Sequence, residues 1–192
     1  MEAAENNKTI TDKKAVLNWL QNLKEPLFAI LDAARDEEIL GHVYNGTERF
    51  SILFEGDQAA ELIGVGPYLV EFSKPSNMLE TLIEKGWGKS WGTFITADAD
   101  FQATASHFRQ LLIVELEDGE EVYFRFYDPR VLRIYLPTCN QDELRQIFGP
   151  VKAFLMEDDT LGILNFTYNE NGLCKSDILA INNTLSTKEI SN

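Results

Sequence analysis

"LFAIL" at Leu27–Leu31 is five apolar residues in succession, preceded by Pro26 and closed by Asp32. A strand with one wet face alternates apolar and polar residues, whereas a short continuous apolar run reads as a strand buried on both faces. It predicts a sheet with elements packed above and below, and the flanking sequence supplies them. Upstream, Thr11 or Asp12 is placed to cap a helix carrying Val16, Leu17, Leu20 and Leu23 at helical spacing. Downstream, a helix from Asp36 turns Ile39, Leu40 and Val43 inward and stops at Asn45-Gly46.

The pattern continues through the chain. Arg49–Phe54 reads as a strand, Gly56–Ile63 as a short helix, and "GVGP" as a turn into a strand at Tyr68–Phe72. Ser76 caps the next predicted helix, with Met78, Leu79, Leu82 and Ile83 on one face and Gly86 as its left-handed stop. A strand at Trp91–Thr96 follows, then a helix capped by Asp98 and carrying Phe101, Ala105, Phe108 and Leu112, the last shared with the start of the next strand. Leu111–Leu116 and Glu121–Tyr127 flank an Asp-Gly turn and predict a hairpin. Asp128-Pro129 is an N-cap with proline in the first turn, and Asn140 with Glu143 is a capping box whose helix ends at Gly149-Pro150. Ala153–Met156 and Gly162–Tyr168 are further strand candidates, while "NNTLSTKEISN" reads as a frayed tail or short terminal helix.

The fold expected is therefore α/β to α+β: a single compact domain with a mixed β-sheet flanked by helices, containing a hairpin near residues 111–127. Residues 1–25 form an N-terminal helix and polar lead, 26–150 the core, and 151–192 C-terminal strands and a polar tail of the same unit.

Composition narrows function. Lys and Arg number 17 against 31 Asp and Glu in 192 residues, a net charge of −14. So acidic a surface repels phosphate backbones and anionic lipid, which argues against nucleic acid and membrane partners and leaves a protein partner open. Cys139 and Cys174 are too few for a disulfide framework or zinc site and read as buried free thiols. The N-terminal stretch lacks the basic and apolar regions of a signal peptide, and no run of about 18 apolar residues suggests a span. A cytoplasmic protein is expected.

Within "GWGKSWGTF" (Gly86–Phe94), Gly88-Lys89-Ser90 has the ending of a phosphate-binding loop. The earlier glycine such a loop needs is Ile83, and the elements run helix to strand rather than strand to helix. A helix stop followed by a strand is the better reading. His42 and His107 stand on predicted helices outside any catalytic motif, "DAD" at Asp98–Asp100 lacks the rest of a calcium loop, and the acidic runs Glu115–Glu121 and Glu157–Asp159 read as solvated turns. No catalytic residue, metal or cofactor is expected.

"VYFRFYDPRVLRIYLP" (Val122–Pro137) stands out. As a strand it places Val122, Phe124 and Phe126 on one face and Tyr123, Arg125 and Tyr127 on the other; Arg130 and Arg133 add two more cations. Two readings are open. Arg125 is a structural arginine held by a carboxylate such as Asp32, Asp98 or Asp128, or Tyr, Arg and Trp side chains form an anchor-rich surface for another protein.

Four motifs in order, "LFAILDAARD", "GPYLVEF", "GWGKSWGTFITADAD" and "VYFRFYDPRVLRIYLPT", followed by "FGPV", resemble the adaptor or effector-chaperone family of bacterial type VI secretion. The resemblance covers about Leu27–Pro150. It implies a cytoplasmic, non-catalytic protein that holds a toxic effector and promotes its loading onto the valine-glycine repeat spike protein. An immunity-type protein that neutralises a toxin is the alternative. Motif or partner-binding positions are then Trp87, Trp91, Tyr123, Arg125, Tyr127, Asp128 and Arg130, with the two tryptophans expected to pack the joint beside the Arg125 strand.

Overall fold

Leu27–Asp32 forms the strand that its apolar run predicts, and every residue of it is buried. The computed structural model describes residues 12–116, 118–169, 171–181 and 184–189. In chain order the elements are α1 (Lys13–Gln21), β1 (Leu27–Asp32), α2 (Glu38–Asn45), β2 (Arg49–Ile52), α3 (Gly56–Glu61), β3 (Pro67–Phe72), α4 (Asn77–Gly86), β4 (Gly92–Ala97) and α5 (Phe101–Arg109). After them come β5 (Ile113–Glu115), β6 (Glu121–Tyr123), α6 (Pro129–Tyr135), a single 3-10 turn (Leu136–Thr138), α7 (Gln141–Phe148), β7 (Val151–Glu157), β8 (Ile163–Asn169), β9 (Gly172–Ile181) and β10 (Thr184–Glu189).

The main sheet has eight strands in the order β10-β9-β8-β7-β4-β1-β3-β2. β1 lies between β3 and β4 and is antiparallel to both, so β3 and β4 share a direction and α4 is the crossover that joins them. All neighbouring pairs are antiparallel, which decides for α+β and corrects the expected mixed sheet. The strand inserted between β3 and β4 separates the two that would otherwise have paired in parallel.

Helices cover both faces, which is why β1 is apolar throughout. Leu27, Ala29 and Leu31 join a cluster with Val16, Leu20, Ile39, Val43, Leu79 and Ile83 from α1, α2 and α4. Phe28 and Ile30 point the other way, into a larger cluster with Phe101, Phe108, Leu132, Leu144 and Phe148 from α5, α6 and α7. The caps are as the sequence indicates at Asp12, Ser76, Asp128 and Asn140, the last with its capping box complete.

Four expectations need correction. The hairpin pairs only Ile113–Glu115 with Glu121–Tyr123 and stands as a separate two-stranded sheet. The chain beyond Ser176 is strand rather than tail or helix where it is described: β9 pairs along β8, and β10 along β9 from Thr184↔Ile181 to Glu189↔Ser176. Polar composition conceals β10, because an outer strand is held by its backbone ladder and needs no apolar run, whereas β9 ends in the apolar run Ile178–Ile181. The cap of α5 is Asp100, whose carboxylate accepts the Ala103 N–H at 2.9 Å; Asp98 instead donates its N–H to Pro150 O at 2.9 Å. Gly86 is no left-handed stop either, since positive φ falls at Gly88 (91°) and Ser90 (58°).

Gly86 is required by packing. A Cβ there would lie 2.5 Å from Cε3 of Trp91. Gly86→Ala is expected to lower stability by about 1–3 kcal/mol in thermal denaturation although alanine is the better helix former. Gly41→Ala, with nothing within 4 Å of the added carbon, should be neutral or stabilising.

Candidate protein-interaction site

β1 ends in a carboxylate. Asp32 is fully buried, on the α5–α7 face of the sheet, and a buried charge must be paired. Its Oδ2 receives a hydrogen bond from Nη2 of Arg125, its Oδ1 accepts the Ala34 N–H at 3.1 Å, and its own N–H donates to Trp91 O at 2.8 Å. Of the carboxylates proposed for Arg125, Asp32 is the one used. The arginine is not on a strand, however. β6 stops at Tyr123, and Phe124–Asp128 crosses as an irregular segment, pinned where Thr93 Oγ1 donates to Tyr127 O at 3.1 Å. Strand alternation therefore fails: Phe126 and Tyr127 are both buried, and the Arg125 side chain remains 45% exposed.

The pattern repeats one turn later. Asp128 is buried, caps α6 through the Arg130 N–H (3.0 Å), and takes a two-pronged contact from Arg130, Nε to Oδ1 at 2.9 Å and Nη2 to Oδ2 at 2.6 Å. Burial pushes the Asp128 carboxyl up, but Arg130, with Arg125 behind it, outweighs burial and holds it below its ordinary value. Arg130 itself is 48% exposed. Next along, Arg133 meets Asp159 at 2.8 Å. Apolar side chains share this surface: on the outer side of α6, Val131 and Ile134 are exposed, Ile134 by 69%. Ile134 and Arg133 border an open groove of about 470 Å³ together with Asp158, Asp159, Leu164 and Lys175.

The remaining motif positions divide by accessibility. Tyr123 is 56% exposed on the hairpin, its ring edge-on to Phe54. Trp87 and Trp91 are buried in the cluster on the α1, α2 and α4 side, across the sheet from Phe126 and Tyr127. They do not pack the Arg125 segment directly; the link runs through the end of β1, where Trp91 O accepts from Asp32. Trp87 Nε1 donates to Leu161 O at 2.8 Å.

The Gly88-Lys89-Ser90 loop holds an anion, and the anion is internal. Gly88 N–H and Ser90 N–H donate to the Glu157 carboxylate at 2.6 and 2.7 Å, with Ser90 Oγ at 3.1 Å. Positive φ at Gly88 and Ser90 turns these amides inward to form a nest. The donors that a phosphate would need are thus engaged by β7. Burial pushes the Glu157 carboxyl up despite those donors, so this residue is not the solvated turn expected from its acidic run.

Other candidates are structural. His107 Nε2 lies 2.9 Å from Ile147 O, burial lowers its pKa, and its ring fills the space beside Gly149. The expected buried thiols are corrected: Cys174 is exposed, and Cys139 is part-buried with its pKa pushed up to about 11 by burial and Glu143. Among the described residues no group of three or more His, Cys, Asp or Glu is placed to hold a metal, and no helix is long and apolar enough to cross a membrane.

Residues 27–146 match the family described as "Domain of unknown function (DUF4123)". The chain belongs to the DUF4123 family. No curated protein and no solved structure shows a match to it. The DUF4123 match spans β1 through most of α7, including Asp32, the glycine-lysine-serine loop and the Arg125–Arg133 segment. It stops before β7, which supplies β4's second neighbour and Glu157. Sequence reading singles out Arg125, Asp128, Arg130 and Arg133 but not Val131 and Ile134, whose spacing alone reads as buried helix.

Arg125→Ala should lower stability by about 2 kcal/mol, because Asp32 would be left buried without its cation while water can still enter the half-open site. A double-mutant cycle with Asp32→Asn checks it: the cost of Arg125→Ala should shrink in the Asp32→Asn background. For Asp128, whose folded pKa lies below its ordinary 3.8, the ionised form favours folding; that stability is present above 3.8 and is lost as pH falls through the lowered value. Arg130→Gln should therefore flatten the decline in Tm on acidification from about pH 5 to pH 3.

Proposed function

We propose that this DUF4123 protein is a non-catalytic adaptor or chaperone of type VI secretion, one that binds a toxic effector and promotes its loading onto the valine-glycine repeat spike protein. The observation that carries the reading is a surface on which Arg125 and Arg130 stand half-exposed beside Val131 and Ile134, within the motifs that resemble this adaptor family. Arginine is enriched among the residues that dominate protein interfaces, and the buried centre of such an interface is more apolar than its rim. Their pairing with buried aspartates fixes the guanidiniums before a partner arrives, which lowers the entropy cost of docking.

The net charge of −14 favours a second reading, an immunity-type protein that captures a basic toxin by electrostatic steering. One experiment separates them. Tagged protein is recovered from its native bacterium, bound proteins are identified by mass spectrometry, and the toxin's activity is assayed in the recovered complex. The adaptor reading predicts one large toxin together with the spike protein. Recovery of the toxin alone, inactive, would overturn it in favour of immunity.

A further inference from the structure

The charge arrangement around α6 specifies what kind of segment docks there. Its two buried anions, Asp32 and Asp128, face inward with side chains 1% and 2% exposed, and the exposed anion beside it, Asp159, is taken up by Arg133. Its cations face outward, and the two pairs form one cluster, each guanidinium lying within Coulombic reach of the other's carboxylate. Arg125 directs one N–H group at Asp32 and Arg130 directs two at Asp128, so each retains at least three of its five donors for a partner. A planar guanidinium fork matches a carboxylate, and the exposed Val131 and Ile134 adjoin it on the same short helix.

Resting on the adaptor reading, we infer that Arg125, Arg130, Val131 and Ile134 form the docking surface for a partner segment that carries carboxylates beside apolar side chains. Elsewhere the chain, at −14, repels such a segment. Screening limits that repulsion to about 8 Å at physiological ionic strength, so the local guanidiniums prevail on contact while the acidic surroundings disfavour misplaced binding. The Ile134 groove of about 470 Å³ receives the apolar side chain; the Asp158 and Asp159 carboxylates that line it are matched there by Arg133 and Lys175.

Three labelled peptides of about eight residues test this by fluorescence anisotropy on the full chain at near-physiological salt. They alternate leucine with aspartate, with asparagine or with lysine. The leucine-aspartate peptide should bind, and the other two should bind at least tenfold more weakly. Ile134→Asp, at an exposed position that does not threaten folding, should weaken the aspartate peptide at least tenfold, and so should Arg125→Lys, which keeps the charge facing Asp32 but removes the fork. Tighter or equal binding of the asparagine or lysine peptide, an unchanged affinity in Ile134→Asp, or no binding of any peptide at about 1 mM overturns the inference. The adaptor reading fails separately. If Ile134→Asp still recovers toxin and spike from the native bacterium, that reading stands and only this docking surface falls.

Discussion

A carboxylate buried at the end of a central strand cannot be left unpaired, and the position of Asp32 sets much of what surrounds it. Its partner has to come from outside the sheet. Arg125 supplies the charge and draws Phe124–Asp128 across the mouth of β1 and β4, where Phe126 and Tyr127 enter the core. That path delivers Asp128 to the start of α6, and Asp128 in turn fixes Arg130. Two buried aspartates thus produce two oriented arginines. Structural and interaction roles are not competing accounts of Arg125, because one edge of its guanidinium serves the fold and the remainder faces solvent.

The opposite face of the same corner is braced by a further, part-buried carboxylate. Glu157 fills the nest made by Gly88 and Ser90, tying the α4–β4 loop to β7. Since β7 lies beyond the matched family region, the DUF4123 segment depends on the C-terminal strands for both a strand neighbour and the anion in its loop. The resemblance to a phosphate loop has a physical basis: glycine and a left-handed serine turn backbone amides towards negative charge in either case. What differs is the source of the charge.

Local signals in the sequence translate into structure where one residue's chemistry decides the outcome. Pro129 after Asp128, Glu143 after Asn140 and the apolar run of β1 become cap, capping box and two-faced strand because each depends on near neighbours in the chain. Asp32 can be named as one of three partners for Arg125, yet choosing among them needs the fold, which brings together residues 93 positions apart. Tyr123–Tyr127 alternates well enough to read as strand, but the register ends at Tyr123, and after Phe124 N–H donates to Leu112 O at 2.9 Å the backbone turns so that Arg125 reaches Asp32. The sequence marks Gly86 only as a helix stop, since a tight contact with Trp91 leaves no trace in local composition. An isoleucine on a short helix carries no mark of exposure, which hides Ile134, and a polar strand held by its ladder leaves little hydrophobic pattern, which hides β10.

Amide hydrogen exchange tests most directly whether partners meet this chain on the proposed Arg125–Ile134 surface. Exchange would be followed by mass spectrometry for the chain alone and in the presence of the proposed partners, a toxic effector and the spike protein. Slower exchange on binding over Val122–Tyr135 and the loop bordering its groove at Asp158–Leu161 is the predicted result. Protection confined to other surfaces, with Val122–Tyr135 exchanging as in the free chain, would contradict it.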